Sequence, residues 1–241
     1  MDPAGFTAES LSGDQKLFPA TDLSSTDDAV YWSSFSTRIA ESFEDVREAV
    51  QLNEPKMCVQ AIIEILSKDT SSDHFFDAKV LDFGASNAQV GTLLAEQGLT
   101  ELYAQCGSAA KKLSLLRKGI YKDIETFIVG KQGLPKSYKR AFDVVTCAGG
   151  LGTNLLPAKS FDDMINALRP GGYAVLTVSQ KHLKPGSQFG MEYYENIERL
   201  IARGAWRPLI HYEFVKYHGI GNDNFAKGAE QYSLLVFQKE S

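Results

Sequence analysis

Five short apolar segments separated by helical stretches, then two alternating segments with no helix between them, constrain this chain more than any other feature. The five predicted strands are 79–83 (KVLDF), 101–105, 125–129, 142–147 (FDVVTC) and 173–179. Between them the spacing predicts helices over 87–97, 108–119 (with Ser108 as N-cap) and 160–168, the last stopped by Arg169-Pro-Gly-Gly. A further helix is predicted over 191–203. Strands that alternate with helices return across a face of the sheet and therefore run parallel. The final pair, 209–217 and 231–238, is joined by a Gly/Asn-rich loop and must pair antiparallel as a hairpin at one edge. The fold class is α/β.

Upstream, residues 1–26 are rich in Ser, Thr, Asp, Ala and Gly without periodicity and are expected to form a flexible leader. Residues 27–241 are expected to form one domain, with N-terminal helices over 27–70 and the α/β core over 79–241. Val30, Tyr31, Phe35, Ile39, Phe43 and Val46 recur at helical steps, with Asp27 or Asp28 as N-cap. A second helix runs through Met57, Val59, Ile62, Ile63 and Leu66, with Pro55 in its first turn.

Composition narrows the function classes. With 25 basic and 30 acidic side chains the net charge is -5, which argues against a general nucleic-acid binder or an anionic-membrane binder. Three dispersed cysteines, Cys58, Cys106 and Cys147, suit neither a disulfide framework nor a zinc site. No apolar run approaches the roughly 20 residues of a membrane span. The acidic, arginine-free first thirty residues look unlike a secretory or transit leader, and no N-x-Ser/Thr sequon occurs. A cytoplasmic location, with the nucleus as the other possibility, is the expectation.

In an open α/β sheet, ligands bind beyond the carboxyl ends of the strands, near the point where strand order reverses. The segment there is VLDFGASNAQVG, 80–91. Asp82 lies at the strand end, where it serves either a cofactor or the cap of the next helix. Gly84 supplies a backbone position open to positive φ, and the helix start near Asn87 and Gln89 offers free N–H groups. Other motifs fail. GxGxxG would need glycines where Ser86 and Gln89 stand, and Tyr212-x-x-x-Lys216 lies in a strand pattern instead of a helix. Cys106 and Cys147 read as small core-edge residues, and His211 and His218 as surface or loop residues. Tyr193, Tyr194, Trp206, Tyr212 and Phe214 read as packing of the last helix on the hairpin, with a pocket lining as the alternative. Lys111, Lys112, Arg117, Lys118 and Lys122 read as a solvated helix face.

The glycine turn resembles motif one of the class I S-adenosylmethionine-dependent methyltransferases, and the resemblance continues through FDVV (142–145) and LRPGGYAVLTV (168–178) to the terminal hairpin. Within that superfamily the chain is most similar to the Williams–Beuren-region methyltransferase-like proteins, which share Pro55 after the helical leader, Val90-Gly91, and a KGIY-like stretch at 118–121. The resemblance implies a Rossmann-like, seven-stranded methyltransferase sheet, mostly parallel with an antiparallel C-terminal edge hairpin and helices on both faces. It also implies S-adenosylmethionine as cofactor, with Asp82, Gly84, Ser86, Ala88, Cys106 and Lys131 at the cofactor positions.

Several of those positions depart from the family. Ser86 and Ala88 replace the second and third glycines of the loop, and the Ala88 methyl is expected to project toward the cofactor's methionine end. Cys106 stands where an acid would accept from both ribose hydroxyls, and a thiol is a poor acceptor. Lys131 stands where an acid would face the adenine amino group, and Gly152-Thr153-Asn154 replace histidines after the fourth strand. Two readings follow: a methyltransferase-fold protein with a degenerate cofactor site and weak or absent catalysis, or an active methyltransferase on a small-molecule or protein acceptor.

Overall fold

A computed structural model describes residues 54–69, 75–152, 155–184, 193–217 and 229–240. The leader at 1–26, the first expected helix and His218 lie outside the described residues.

Helix α1 (Glu54–Asp69) starts with Pro55 in its first turn and ends beside Lys68, which complements the helix dipole. Its inward stripe is Met57, Cys58, Ala61, Ile62, Ile65 and Leu66, all buried at helical spacing. Strand β1 (Val80–Phe83) leads through the glycine turn into α2 (Gln89–Glu96). Then come β2 (Leu102–Cys106), α3 (Ala109–Leu116), β3 (Asp123–Thr126) and β4 (Phe142–Leu151). The chain continues through α4 (Ser160–Ala167), β5 (Leu168–Ser179), α5 (Tyr193–Ala202), β6 (Trp206–Tyr217) and β7 (Ala229–Lys239). Ser108 caps α3 as expected, its side chain accepting from the Lys111 N–H at 3.2 Å.

The strands form one seven-stranded sheet in the order β3-β2-β1-β4-β5-β7-β6. Strands β1 to β5 pair in parallel, while β7 is antiparallel to both β5 and β6. Order reverses between β1 and β4, so the crevice at their carboxyl ends is the topological switch point. Strand alternation divides the core. Val80, Val144, Val175 and Val236 face α1, α2 and Leu115 of α3. Leu81, Phe83, Val145, Leu176 and Leu235 face α4 and α5 on the other side.

Among the boundaries that differ from the sequence expectation, three reshape the parallel part of the sheet. The third strand was expected over 125–129 but pairs with β2 over Asp123–Thr126. Phe127 and Val129 are buried in a loop whose backbone bonds to side chains, with Gln105 Nε2 donating to the Phe127 carbonyl at 2.7 Å and Ile128 N–H donating to Gln132 Oε1 at 2.8 Å. Strand β4 runs on through Gly149 and Gly150 to Leu151. Strand β5 begins at Leu168, so Arg-Pro-Gly-Gly lies within it. A register shift against β4 between Phe142 and Val144 accommodates the irregularity.

Candidate functional site

The switch-point crevice is built around the β1 turn. Gly84 adopts φ 70, the left-handed region where a Cβ is disfavoured. Its N–H donates to Gln105 Oε1 at 2.9 Å, and the Ala85 N–H donates to the Gln105 carbonyl at 3.0 Å. Gln105 is fully buried, and its amide also reaches the Phe127 carbonyl, so one side chain ties the β1 turn to the segment after β3. No motif marked this residue. A glutamine inside an otherwise apolar strand (LYAQC) was the one available signal, since a buried amide needs partners.

Asp82 is 5% exposed on the α1 side of the sheet. It does not cap α2; its Oδ2 accepts from the Tyr121 hydroxyl at 2.7 Å. Burial pushes its carboxyl up to about 7, with the Tyr121 bond acting in the opposite sense. Above it, α1 contributes Cys58, whose buried thiol is pushed up to about 12, chiefly by desolvation. Glu54, at the start of α1, is also buried, and its Oε1 lies 3.1 Å from the point where a Cβ on Gly149 would sit. Two buried carboxylates thus flank the carboxyl ends of β1 and β4.

The remaining expected residues are dispersed. Ser86 is exposed in the turn. Ala88 is the residue preceding α2 and holds φ 60, ψ 25, a glycine-like backbone on a residue with a Cβ. Its methyl is buried in the core cluster that includes the inward residues of α1. Cys106 ends β2 and is 1% exposed, with its Sγ 3.6 Å from the Ser108 carbonyl and 3.6 Å from Thr126 Oγ1. Lys131 follows Gly130, which holds φ 75 in the loop after β3. It lies exposed on a separate groove with Lys159 and Arg199, because the loop after β3 crosses the sheet end toward α4.

The chain also folds over its own turn. After β4, the Leu156 N–H returns to the Gly150 carbonyl at 3.0 Å, and Leu156 Cδ1 lies 3.5 Å from the point where a Cβ on Gly84 would be. Tyr193 of α5 holds this return: its hydroxyl accepts from the Gly152 N–H at 3.0 Å and donates to the Leu156 carbonyl.

The aromatic set separates onto two faces. Tyr193 and Trp206 pack on Phe161, with ring centroids at 5.7 and 5.5 Å, and Trp206 stacks on Phe237 at 4.7 Å. Phe214 instead meets Tyr232 on the α1 side, at 5.8 Å. His211, expected on the surface, is half-buried within β6 at 2.9 Å from Ser233 Oγ, and burial lowers its pKa. Of the basic set, Lys111 and Lys112 on α3 are half-buried, while Arg117, Lys118 and Lys122 beyond its end are exposed. Among the described residues, no helix is long and apolar enough to cross a membrane, and no group of three His, Cys, Asp or Glu is placed to hold a metal ion.

The sheet order, with its reversed seventh strand inserted beside the fifth, is the Rossmann-like fold of the methyltransferases, and solved structures of that class match it. A TehB-like S-adenosylmethionine-dependent methyltransferase from Corynebacterium glutamicum is 16% identical and covers 86% of this chain and 100% of its own, with a TM-score of 0.50. The CurJ carbon methyltransferase is 16% identical over 78% of this chain, with a TM-score of 0.53; the present chain spans about half of that protein (54%). The YcgJ protein of Bacillus subtilis matches at 13% identity over 76% of this chain and 98% of its own, with a TM-score of 0.50. No protein-family model matches the chain, and no curated protein sequence matches it.

Proposed function

We propose that this chain keeps the methyltransferase fold as a binding module, with a cofactor site changed so far that S-adenosylmethionine is held weakly or not at all and catalysis is weak or absent. The observation that carries this reading is the internal use of the β1 turn. Gly84 and Ala85 direct their N–H groups to Gln105, and Leu156 lies against Gly84. Cys106 offers a buried thiol where the resemblance calls for a carboxylate. The residues present therefore fit S-adenosylmethionine poorly. Loss of two charged hydrogen bonds to the ribose, each contributing about 1.5–3 kcal/mol, would weaken a cofactor by roughly two to four powers of ten. The partner proposed for this module is a protein.

One observation favours the alternative, an active methyltransferase on a small-molecule or protein acceptor. Asp82 and Gly84 still stand at the end of β1, at the switch point of a sheet whose solved counterparts include S-adenosylmethionine-dependent methyltransferases. Calorimetric titration with S-adenosylmethionine and S-adenosylhomocysteine separates the two. Little or no heat is expected with cofactor in the millimolar range. Binding tighter than about 10 μM, close to -6.8 kcal/mol, would overturn the binding-module reading. If the missing ribose acceptor is the main defect, Cys106→Asp by itself recovers measurable affinity.

A further inference from the structure

We propose that the groove between the loop after β3, α4 and α5 is a second ligand site, one that binds a small phosphate-bearing molecule. The groove has a volume of about 480 Å3 and gathers Lys131, Lys159 and Arg199 with Asp162, Asp163 and Asn196. Its charges are unequally satisfied. Asp162 is bridged by two arginines, Arg199 at 2.9 Å and Arg203 at 3.1 Å. Asp163 accepts the Gly130 N–H at 2.6 Å within the first turn of α4, and burial raises its pKa against that bond. Asn196 Oδ1 accepts from Arg199 Nη2 at 2.9 Å, the same nitrogen that donates to Asp162, so one end of the guanidinium is fixed by two acceptors.

Lys131 and Lys159 have no acidic partner among the described residues, and both are exposed. Two unpaired ammonium groups beside an oriented guanidinium leave the groove short of negative charge. A guanidinium offers planar paired donors and the lysines add point charges, a combination that favours a multiply charged oxyanion over a single carboxylate. Gly133, at φ 70, has no atom within 4 Å of the point where its Cβ would stand, so the loop backbone leaves space beside the lysines for the rest of an organic phosphate. Lys131 is one of the three cations that line the groove. The residue that departs from the cofactor pattern is thus one that supplies the groove with its charge.

This site goes beyond the reading of the crevice, and its test is separate, because a chain that ignores S-adenosylmethionine can still bind phosphate. Inorganic pyrophosphate is titrated into the full chain, followed by calorimetry and by the amide NMR shifts of Gly130 and Gly133. The expected result is saturable sub-millimolar binding that shifts those amides and weakens at least about tenfold in Lys131→Gln/Lys159→Gln, with an unchanged melting temperature. Absence of saturable binding, equal affinity for sulfate, or undiminished binding by the double variant would each overturn the proposal.

Discussion

The Tyr121 hydroxyl donates to Oδ2 of Asp82 at 2.7 Å, and its ring lies so close to α2 that a Cβ on Gly91 would stand 2.6 Å from it. The glycine of α2 thus admits the ring, and the ring carries the hydroxyl to a carboxylate that water scarcely reaches. Three residues from β1, α2 and the segment before β3 form one unit under the switch-point turn.

That unit predicts a pH dependence. Asp82 in the folded chain is half-protonated near pH 7, whereas the unfolded carboxyl titrates near 3.8. Below about pH 4 both states carry the proton, and between 4 and 7 the folded state retains a proton that the unfolded state has lost. Stability contributed by Asp82 is therefore complete at low pH, falls as pH rises through 7, and is level above it. Denaturant unfolding of Asp82→Asn against the native chain should move in the variant's favour by about 2–3 kcal/mol between pH 5 and pH 8. Parallel pH curves would show that the carboxyl titrates normally.

Tyr121→Phe keeps the ring and removes the donor. At pH 8, where Asp82 is ionised, the expected loss is about 1.5–3 kcal/mol, and it shrinks at pH 5. Equal losses at both pH values would mean that the hydroxyl does not serve the charged carboxylate.

Gly91→Ala gains helix propensity but drives a methyl group into the Tyr121 ring. Overpacking is expected to win, with a net loss of about 1–2 kcal/mol in urea unfolding. A neutral or stabilising result would place the ring farther from α2.

Ala88 bears a left-handed conformation, φ 60, that costs an L-residue about 1–2 kcal/mol. Replacement by glycine removes the strain, which outweighs the unfolded-state entropy it adds, so Ala88→Gly should stabilise by about 0.5–1 kcal/mol. A lowered melting temperature would indicate that the buried methyl contributes more than the strain costs.

Gln105→Leu would strand the Gly84 N–H and the Phe127 carbonyl. With about 1–3 kcal/mol for each unsatisfied buried group, a loss of about 2–4 kcal/mol is expected, accompanied by faster exchange of the Gly84 amide. Retained protection of that amide would show that Gln105 is not what holds the turn.

Much of this architecture was legible beforehand. Strand β1, the Ser108 cap, α1 with Pro55 and the terminal antiparallel pair all follow from burial periods and turn residues, which are local properties. The third strand was misplaced because buried Phe127 and Val129 look like strand residues, although side chains satisfy their surroundings. The resemblance alone names Lys131 as a cofactor position, and only the fold brings it beside Lys159 and Arg199.

The residue order by itself determined a parallel α/β sheet closed by a hairpin, since each element's pattern of burial is written within a few neighbouring positions. Only the tertiary structure decided which polar groups stay available at the switch point. Gly84 meets Gln105 across 21 positions, Gln105 meets Phe127 across 22 and Asp82 meets Tyr121 across 39. Hydrogen bonds over such separations depend on how the strands are laid side by side, and no local period encodes them.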